Sequence, residues 1–197
     1  MPISSVHPLL YSADPGAYFA RVLHAPGAVL LDSGRPGAER GRYDILSAWP
    51  LAELAPDTDE SANDFLARLR QGLHSLGPAV LPDAYELPFV GGLLGYLAYD
   101  FGRRLEPMPN QANDDIGLSD AHFGLYAWAL ISDHQRGTSQ LVFHPQLPAD
   151  ERERLLALFQ QPVPSDTPRF RLSAKFSADT SPKRYQQAFA TIQRYIL

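Results

Sequence analysis

Residues 87–106 constrain the fold more than any other part of the chain, because closely spaced glycines stand next to a cluster of charges. The segment reads LPFVGGLLGYLAYDFGRRLE, and its glycines are Gly91, Gly92 and Gly95. Glycine can take a positive φ or let a second backbone approach closely. This pattern predicts a tightly packed core strand over 91–100 that leaves the core where the charges begin.

The charged residues of this segment have two interpretations. They are Asp100, Arg103, Arg104 and Glu106. They could form an acid–base or phosphate-binding cluster. The simpler interpretation is a short helical turn over 101–105 with ion pairs inside it, each worth a few tenths of a kcal/mol, roughly. The residues favour the helical turn, so the segment is a packing element rather than a binding loop.

The composition excludes several classes of protein. A net charge of −5 without a Lys/Arg-rich run argues against nucleic-acid binding. The absence of cysteine excludes disulfides and thiolate metal sites. None of the 6 histidines has a metal-ligand spacing. The N-terminal residues lack the pattern of a signal peptide, and the longest apolar run, around 93–98, is too short to cross a bilayer. We therefore expect a cytoplasmic protein with no metal site and no nucleic-acid or membrane partner.

Local patterns predict an α+β fold of antiparallel β-sheets with peripheral helices. The predicted strands are 28–31, 43–54 interrupted by Pro50, 91–100, 121–132, 138–143 and 169–176. The predicted helices are 15–23, 61–76, 148–161 and 182–197. We expect loops at 35–41 and 107–115, a hairpin turn at 133–137, and a linker at 162–168.

The last helix has a clear start and no stop signal. Ser181 is a suitable N-cap and Pro182 suits the first helical position. The apolar stripe of Tyr185, Phe189 and Ile196 continues to the final residues without glycine, asparagine or proline. This pattern leads us to expect a fragment of a longer protein.

Three segments together resemble a known family. They are LLDSGRPGAERGRYDILSAWP (30–50), LPFVGGLLGYLAYDFGRRLEPMP (87–109) and DIGLSDAHFGLYAWALISDHQRGTSQL (115–141). In order and spacing they resemble the N-terminal region of the aminodeoxychorismate (para-aminobenzoate) synthase component I family. The wider group includes anthranilate synthase component I. YDFGRRLE at 99–106 and YAWALISDHQR at 126–136 favour the aminodeoxychorismate branch, as does Asp32 where anthranilate synthases usually carry glutamate.

The resemblance implies a function for a longer parent protein. Full-length members bind chorismate and Mg²⁺, add ammonia from a glutamine amidotransferase subunit, and use a lysine nucleophile in their C-terminal part. It implies that residues 1–165 form the N-terminal domain, and that 166–197 provide a linker strand and the first helix leading to the catalytic domain. The strands would then form part of an anthranilate-synthase-type β-sandwich, and one of the arginines at 103 and 104 could reach that domain. We expect no catalytic residue and no turnover in this chain alone.

The resemblance also implies a possible L-tryptophan pocket. Its residues here are Leu31, Ser33, Arg42 and Tyr43. A serine hydroxyl and strand-edge backbone groups can hold a zwitterion while apolar walls take the indole. The alternative is a strand–turn–strand with an exposed Arg42 and a core Tyr43, which the residues by themselves favour. Two other functions stay open, namely a stand-alone tryptophan-binding or scaffold module and a parent that is anthranilate synthase.

Overall fold

The computed structural model describes residues 1–34, 41–109, 114, 116–161 and 171–196. The chain divides into two units, Met1–Val163 and Pro164–Leu197. The predicted loop at 35–41 and the linker at 162–168 lie almost wholly outside the described residues, as does most of 110–115. In the part of the chain that is described, no helix is long and apolar enough to cross a membrane.

The described strands of the first unit form two antiparallel sheets. They are β1 (Ser5–Leu9), β2 (Val29–Leu31), β3 (Tyr43–Ser47), β4 (Ala52–Leu54), β5 (Gly92–Leu97), β6 (Ala121–Tyr126), β7 (Trp128–Asp133) and β8 (Thr138–Phe143). The larger sheet has the order β1-β8-β7-β3-β2 and the smaller one the order β4-β6-β5.

Helices cover these sheets, which confirms the predicted α+β class with antiparallel sheets. They are α1 (Gly16–Phe19), α2 (Ala62–Leu76) and α3 (Ala149–Gln160), with a 3-10 helix at Tyr99–Arg104. Ser61 caps α2 as predicted, because its Oγ accepts a hydrogen bond from the N–H of Asp64 at 3.1 Å. The second unit contains α4 (Pro182–Ile196), where the Oγ of Ser181 accepts from the N–H of Arg184 at 3.3 Å.

Aromatic side chains anchor the two main hydrophobic clusters. Trp128 is 2% exposed on β7, and its ring centroid lies 5.7 Å from that of Phe159 on α3. The indole N–H of Trp128 donates to the carbonyl of Ala48 at 2.9 Å, so the buried polar atom is satisfied. Phe65 of α2 is fully buried, with its centroid 5.9 Å from that of Phe101 in the 3-10 helix.

The glycine-rich segment forms the predicted strand over a shorter range, because β5 ends at Leu97 and the 3-10 helix begins at Tyr99. Gly91 has φ of 121° and Gly92 has φ of 143°, which L side chains rarely adopt. At Gly95 a Cβ would overlap the carbonyl oxygen of His122 and would lie 2.6 Å from the Cα of Phe123. The close approach of β5 to β6 therefore requires glycine at this position.

The charges after β5 form structural ion pairs. The Nε of Arg103 lies 3.0 Å from Asp100 Oδ1 within the 3-10 helix, as the helical-turn interpretation predicts. Arg104 reaches further, because its Nε lies 2.5 Å from Asp120 Oδ2 and its Nη1 donates to the carbonyls of Asp57 and Glu60 at 2.9 and 2.6 Å. Arg104 therefore ties the 3-10 helix to the segment that precedes α2.

Several predicted elements differ from the structure. The helix predicted at 15–23 is formed over Gly16–Phe19, and the interrupted strand at 43–54 is β3 and β4, which belong to different sheets. The single strand at 121–132 is two strands, because the chain bends at Ala127 and passes from the smaller sheet into the larger one. The continuous apolar run conceals this bend, since Ala127 is itself 1% exposed. The strand predicted at 169–176 is not formed over its described part, 171–176, where every residue is exposed and polar neighbours interrupt the apolar ones.

A candidate ligand site on strands β2 and β3

The pairing of β2 with β3 gathers the four predicted pocket residues at one end of the larger sheet. Leu31 lies opposite Ile45, and Tyr43 lies two residues from Ile45, so Leu31 and Tyr43 share one face of the sheet. Ser33 follows β2, and Arg42 immediately precedes β3. The Leu31 side chain is 43% exposed, which leaves apolar surface at this corner.

Arg42 is held by two neighbours. Its Nε lies 3.2 Å and its Nη2 3.0 Å from Asp133 Oδ2, so the guanidinium binds the carboxylate through two nitrogens. Its Cζ also lies 4.5 Å from the ring centroid of Tyr43, a cation–π geometry. The hydrogen bond to Asp133 raises the pKa of Arg42. The guanidinium therefore has a fixed position at the rim of the site.

Asp133 is a buried carboxylate with several donors. Burial by itself raises its pKa, but the hydrogen bonds from Arg42 and from the backbone N–H groups of Gln135 and Arg136 outweigh burial, and the pKa is lowered. The two backbone bonds measure 3.0 and 3.2 Å. Asp133 is therefore ionised at neutral pH and fixes both the β7–β8 turn and Arg42.

Ser33 has a paired backbone N–H and a hydroxyl without a partner among the described residues. Its backbone N–H donates to Asp44 Oδ1 at 2.8 Å. Its Oγ is buried, and among the described residues it has no hydrogen-bond partner. The backbone at Gly41 lies close by, since a Cβ there would fall 2.8 Å from this Oγ. A buried hydroxyl without a partner costs free energy that a ligand could recover.

Behind Ser33 lies a hydrogen-bonded chain of side chains. Asp44 Oδ2 lies 2.6 Å from Nε2 of His134, and Nδ1 of that ring lies 2.9 Å from the hydroxyl of Tyr11. The side chains of His134 and Asp44 are each 4% exposed. These hydrogen bonds therefore join Tyr11, the β7–β8 turn and residues 32–34. We call residues 32–34 the Ser33 turn, because the N–H of Gly34 donates to Asp32 Oδ1 at 2.6 Å across Ser33.

The corner brings polar and apolar groups together. Ser33 offers a hydroxyl, Leu31 and Tyr43 offer apolar surface, and the Arg42 guanidinium lies beside the ring. The sequence does not identify Asp44, Asp133 and His134 as neighbours of this corner, because it presents Asp133-His134 as a hairpin turn and part of a family motif. The alternation of inward and outward residues along β3 could have indicated Asp44, because it places this charged residue at a position that faces the core.

The described residues do not supply a metal centre. Within them, no group of three or more histidine, aspartate or glutamate side chains is arranged to hold a metal ion. His144 is also a structural residue, since it is 2% exposed and desolvation lowers its pKa.

Comparison with known proteins decides the family. Residues 27–197 match the family described as chorismate binding enzyme. This chain belongs to the chorismate-binding enzyme family. Among curated members, it is 37% identical over 190 residues to aminodeoxychorismate synthase component 1 of Salmonella typhimurium, a match that covers 91% of this chain and 40% of that protein.

Other chorismate-binding family members are similar over a smaller part of the chain or in fold alone. Anthranilate synthase component 1 of Mycolicibacterium smegmatis is 33% identical over 138 residues, covering 64% of this chain and 26% of that protein. The crystal structure of anthranilate synthase component I from Streptococcus pneumoniae TIGR4 superimposes with a TM-score of 0.57 at 21% identity, over 84% of this chain and 39% of that one. The chain thus spans less than half the length of these relatives.

Proposed function

We propose that this chain is the N-terminal domain of an aminodeoxychorismate synthase component I. The extent of the sequence match carries the proposal, because the aminodeoxychorismate relative aligns with 91% of the chain and the anthranilate relative with 64%. The full-length protein would convert chorismate and ammonia to 4-amino-4-deoxychorismate, a precursor of p-aminobenzoate and folate. The designation "component 1" of the relative supports a partner subunit, which would be a cytoplasmic glutamine amidotransferase supplying the ammonia.

The chain alone would not turn over chorismate, since it corresponds to 40% of the length of its relative. Catalysis and Mg²⁺ binding would reside in the remaining part of the protein. The domain would contribute the two sheets and the ligand site at the β2–β3 corner. In this view its role in the reaction is to support the catalytic part rather than to touch the reacting atoms.

Complementation in trans tests this proposal. The chain is mixed with the part of the Salmonella typhimurium relative that lies outside the matched region, and is supplied with chorismate, ammonium and Mg²⁺. We expect 4-amino-4-deoxychorismate from the mixture and none from either piece. Turnover by the chain alone would refute its assignment as a non-catalytic domain. Anthranilate as the product of the mixture, or of the full-length protein, would favour the anthranilate branch instead.

We further propose that the β2–β3 corner binds L-tryptophan or a similar amphipathic amino acid. The buried Ser33 Oγ, without a partner among the described residues, supports this second role. The hydroxyl would bind the polar end of the ligand, and Leu31 and Tyr43 would contact the indole, with Arg42 at the rim. This role corresponds to a tryptophan-binding module and is compatible with membership of a larger enzyme.

Calorimetry of the chain with L-tryptophan tests the second role. Ser33→Ala removes the hydroxyl, and we expect it to weaken binding by about tenfold, the value of one hydrogen bond to a charged group. Ser75→Ala is a matched control, because Ser75 Oγ donates only to the carbonyl of Gly72 on α2. Absence of binding to the unmodified chain would reject the role, and equal affinity of the two variants would reject Ser33 as a contact.

A further inference from the structure

We propose that His134 is a positioning residue for the candidate ligand site and that it holds the Ser33 turn through Asp44. The inference rests on the proposed ligand site for its functional meaning, but the hydrogen-bonded chain that carries it lies wholly within the described residues. Tyr11, His134, Asp44 and Ser33 are linked by contacts of 2.9, 2.6 and 2.8 Å in that order.

In the proposed arrangement the hydrogen bonds run in one direction. A carboxylate oxygen accepts, so Nε2 of His134 donates in the 2.6 Å contact with Asp44. In a neutral ring Nδ1 is then the acceptor, and the Tyr11 hydroxyl donates to it. Asp44 Oδ2 thereby accepts from His134, and Asp44 Oδ1 accepts from the backbone N–H of Ser33.

Burial makes this arrangement rigid. The His134 and Asp44 side chains are 4% exposed, so water cannot replace a lost partner without opening the structure. A rotated imidazole would leave Asp44 with an unpaired buried oxygen, and the carboxylate would be free to turn away from Ser33. The position of the Ser33 turn therefore depends on a ring that belongs to the β7–β8 turn.

The same turn also holds the other wall of the site. Asp133, next to His134, binds the Arg42 guanidinium, and the backbone N–H of His134 donates to the Arg42 carbonyl at 2.9 Å. The dipeptide Asp133-His134 thus fixes the Arg42 side chain directly and the Ser33 turn through Asp44. The spacing between Ser33 and Arg42, and hence the affinity of the site, would be set by this dipeptide.

Nuclear magnetic resonance of the whole chain tests the proposal without any ligand. The imidazole nitrogen shifts of His134 report which nitrogen carries hydrogen, and we expect a hydrogen on Nε2. In His134→Phe we expect exchange of the Ser33 amide proton to accelerate by about tenfold or more, the loss expected for a hydrogen bond to a charged group. Tyr11→Phe, a milder change, should accelerate it in the same direction by less.

Ser139→Ala is the matched control, because it removes a buried hydroxyl contact of 2.8 Å with Ser132 in the same hairpin and leaves His134 in place. It should not change exchange at Ser33. A ring with hydrogen on Nδ1 alone, or Ser33 exchange in His134→Phe and Tyr11→Phe within twofold of the unmodified chain, would overturn the proposal.

Tryptophan titrations then separate this inference from the proposed ligand. If the unmodified chain binds tryptophan, His134→Phe should weaken binding about tenfold while Ser139→Ala leaves it unchanged. Unchanged affinity in His134→Phe would overturn the role of His134 in setting affinity. If the unmodified chain does not bind tryptophan, that ligand is rejected, and the exchange data still decide whether His134 positions Ser33.

Discussion

Arg42 and Asp133 form a two-nitrogen ion pair in which the carboxylate side is 1% exposed and the guanidinium side 33% exposed. The pair joins the start of β3 to the end of β7, and the two residues are 91 positions apart in the chain. A planar guanidinium fits a carboxylate in this way, whereas a lysine ammonium presents a single point charge. The pair therefore has consequences for stability that depend on both geometry and pH.

Replacing Arg42 should lower the free energy of unfolding at neutral pH, and this loss should be smaller in acid. The pKa of Asp133 is lowered in the folded state, so its contribution is present above the unfolded value of about 3.9 and is lost as pH falls through the folded pKa. Urea midpoints of the unmodified chain and Arg42→Met should differ at pH 7 and converge towards pH 3. Arg42→Lys should lie between them, and a gap that is equal at both pH values would contradict this prediction.

Replacing Arg104 should raise the pKa of Asp120. The hydrogen bond from Arg104 lowers that pKa, which burial opposes. In Arg104→Met the Asp120 pKa should rise towards about 3.9 or above it, measured by carboxyl carbon shifts during titration. Arg103→Met is the neighbouring control, because its partner Asp100 is 66% exposed. An Asp120 pKa that responds equally to both substitutions would show that the direct contact is not its cause.

Gly95→Ala should destabilise the smaller sheet by about 3 kcal/mol, at the upper end of the usual cost of overpacking. The added Cβ would meet backbone atoms of His122 and Phe123, which cannot move without separating β5 from β6. Gly72→Ala on α2 is the contrasting change, since its Cβ would lie 3.4 Å from the flexible end of Leu54. It should stabilise the helix by about 0.5–1 kcal/mol. Thermal unfolding of the two variants measures both effects, and similar shifts would disprove the packing explanation.

His144 should make the chain less stable in mild acid. Desolvation lowers its pKa, so below about 6.5 the unfolded chain binds a proton that the folded chain does not. The contribution of the neutral His144 ring to the free energy of unfolding is fully present above that pH. By pH 5.5 the free energy of unfolding has fallen by up to about 1.4 kcal/mol. Urea titrations at pH 7.5 and 5.5 should show a smaller loss in His144→Gln. An equal loss of stability in the unmodified chain and in His144→Gln would contradict this prediction.

Local chemistry explains which parts of the fold could be predicted. Ser61 and Ser181 mark helix starts by their side-chain oxygen, and the glycines at 91 and 92 mark a positive φ, so these features depend on neighbours in sequence. The bend at Ala127 could not be predicted, because it depends on two sheets that assemble from distant strands. A buried alanine is equally compatible with the interior of one strand and with a bend between two strands, so the residue type does not indicate the bend.

The sequence provides candidates for the proposed ligand contacts but not for the residues that hold them in place. Leu31, Ser33, Arg42 and Tyr43 came from a resemblance, and the β2–β3 register places them together. Asp133 and His134 could not be assigned from the sequence, because polar residues in a hairpin turn are usually solvated. Their role follows from a contact across about 90 residues, which only the folded chain reveals.

The bend at Ala127 also bears on how the two sheets are arranged along the chain. β6 belongs to the smaller sheet and β7 to the larger, and one uninterrupted stretch of backbone serves both. The described strands of the smaller sheet all lie between Ala52 and Tyr126, whereas β1–β3 of the larger sheet precede that stretch and β7–β8 follow it. The smaller sheet is therefore a continuous insertion between two strands of the larger one, and Ala127 is the point where the chain returns.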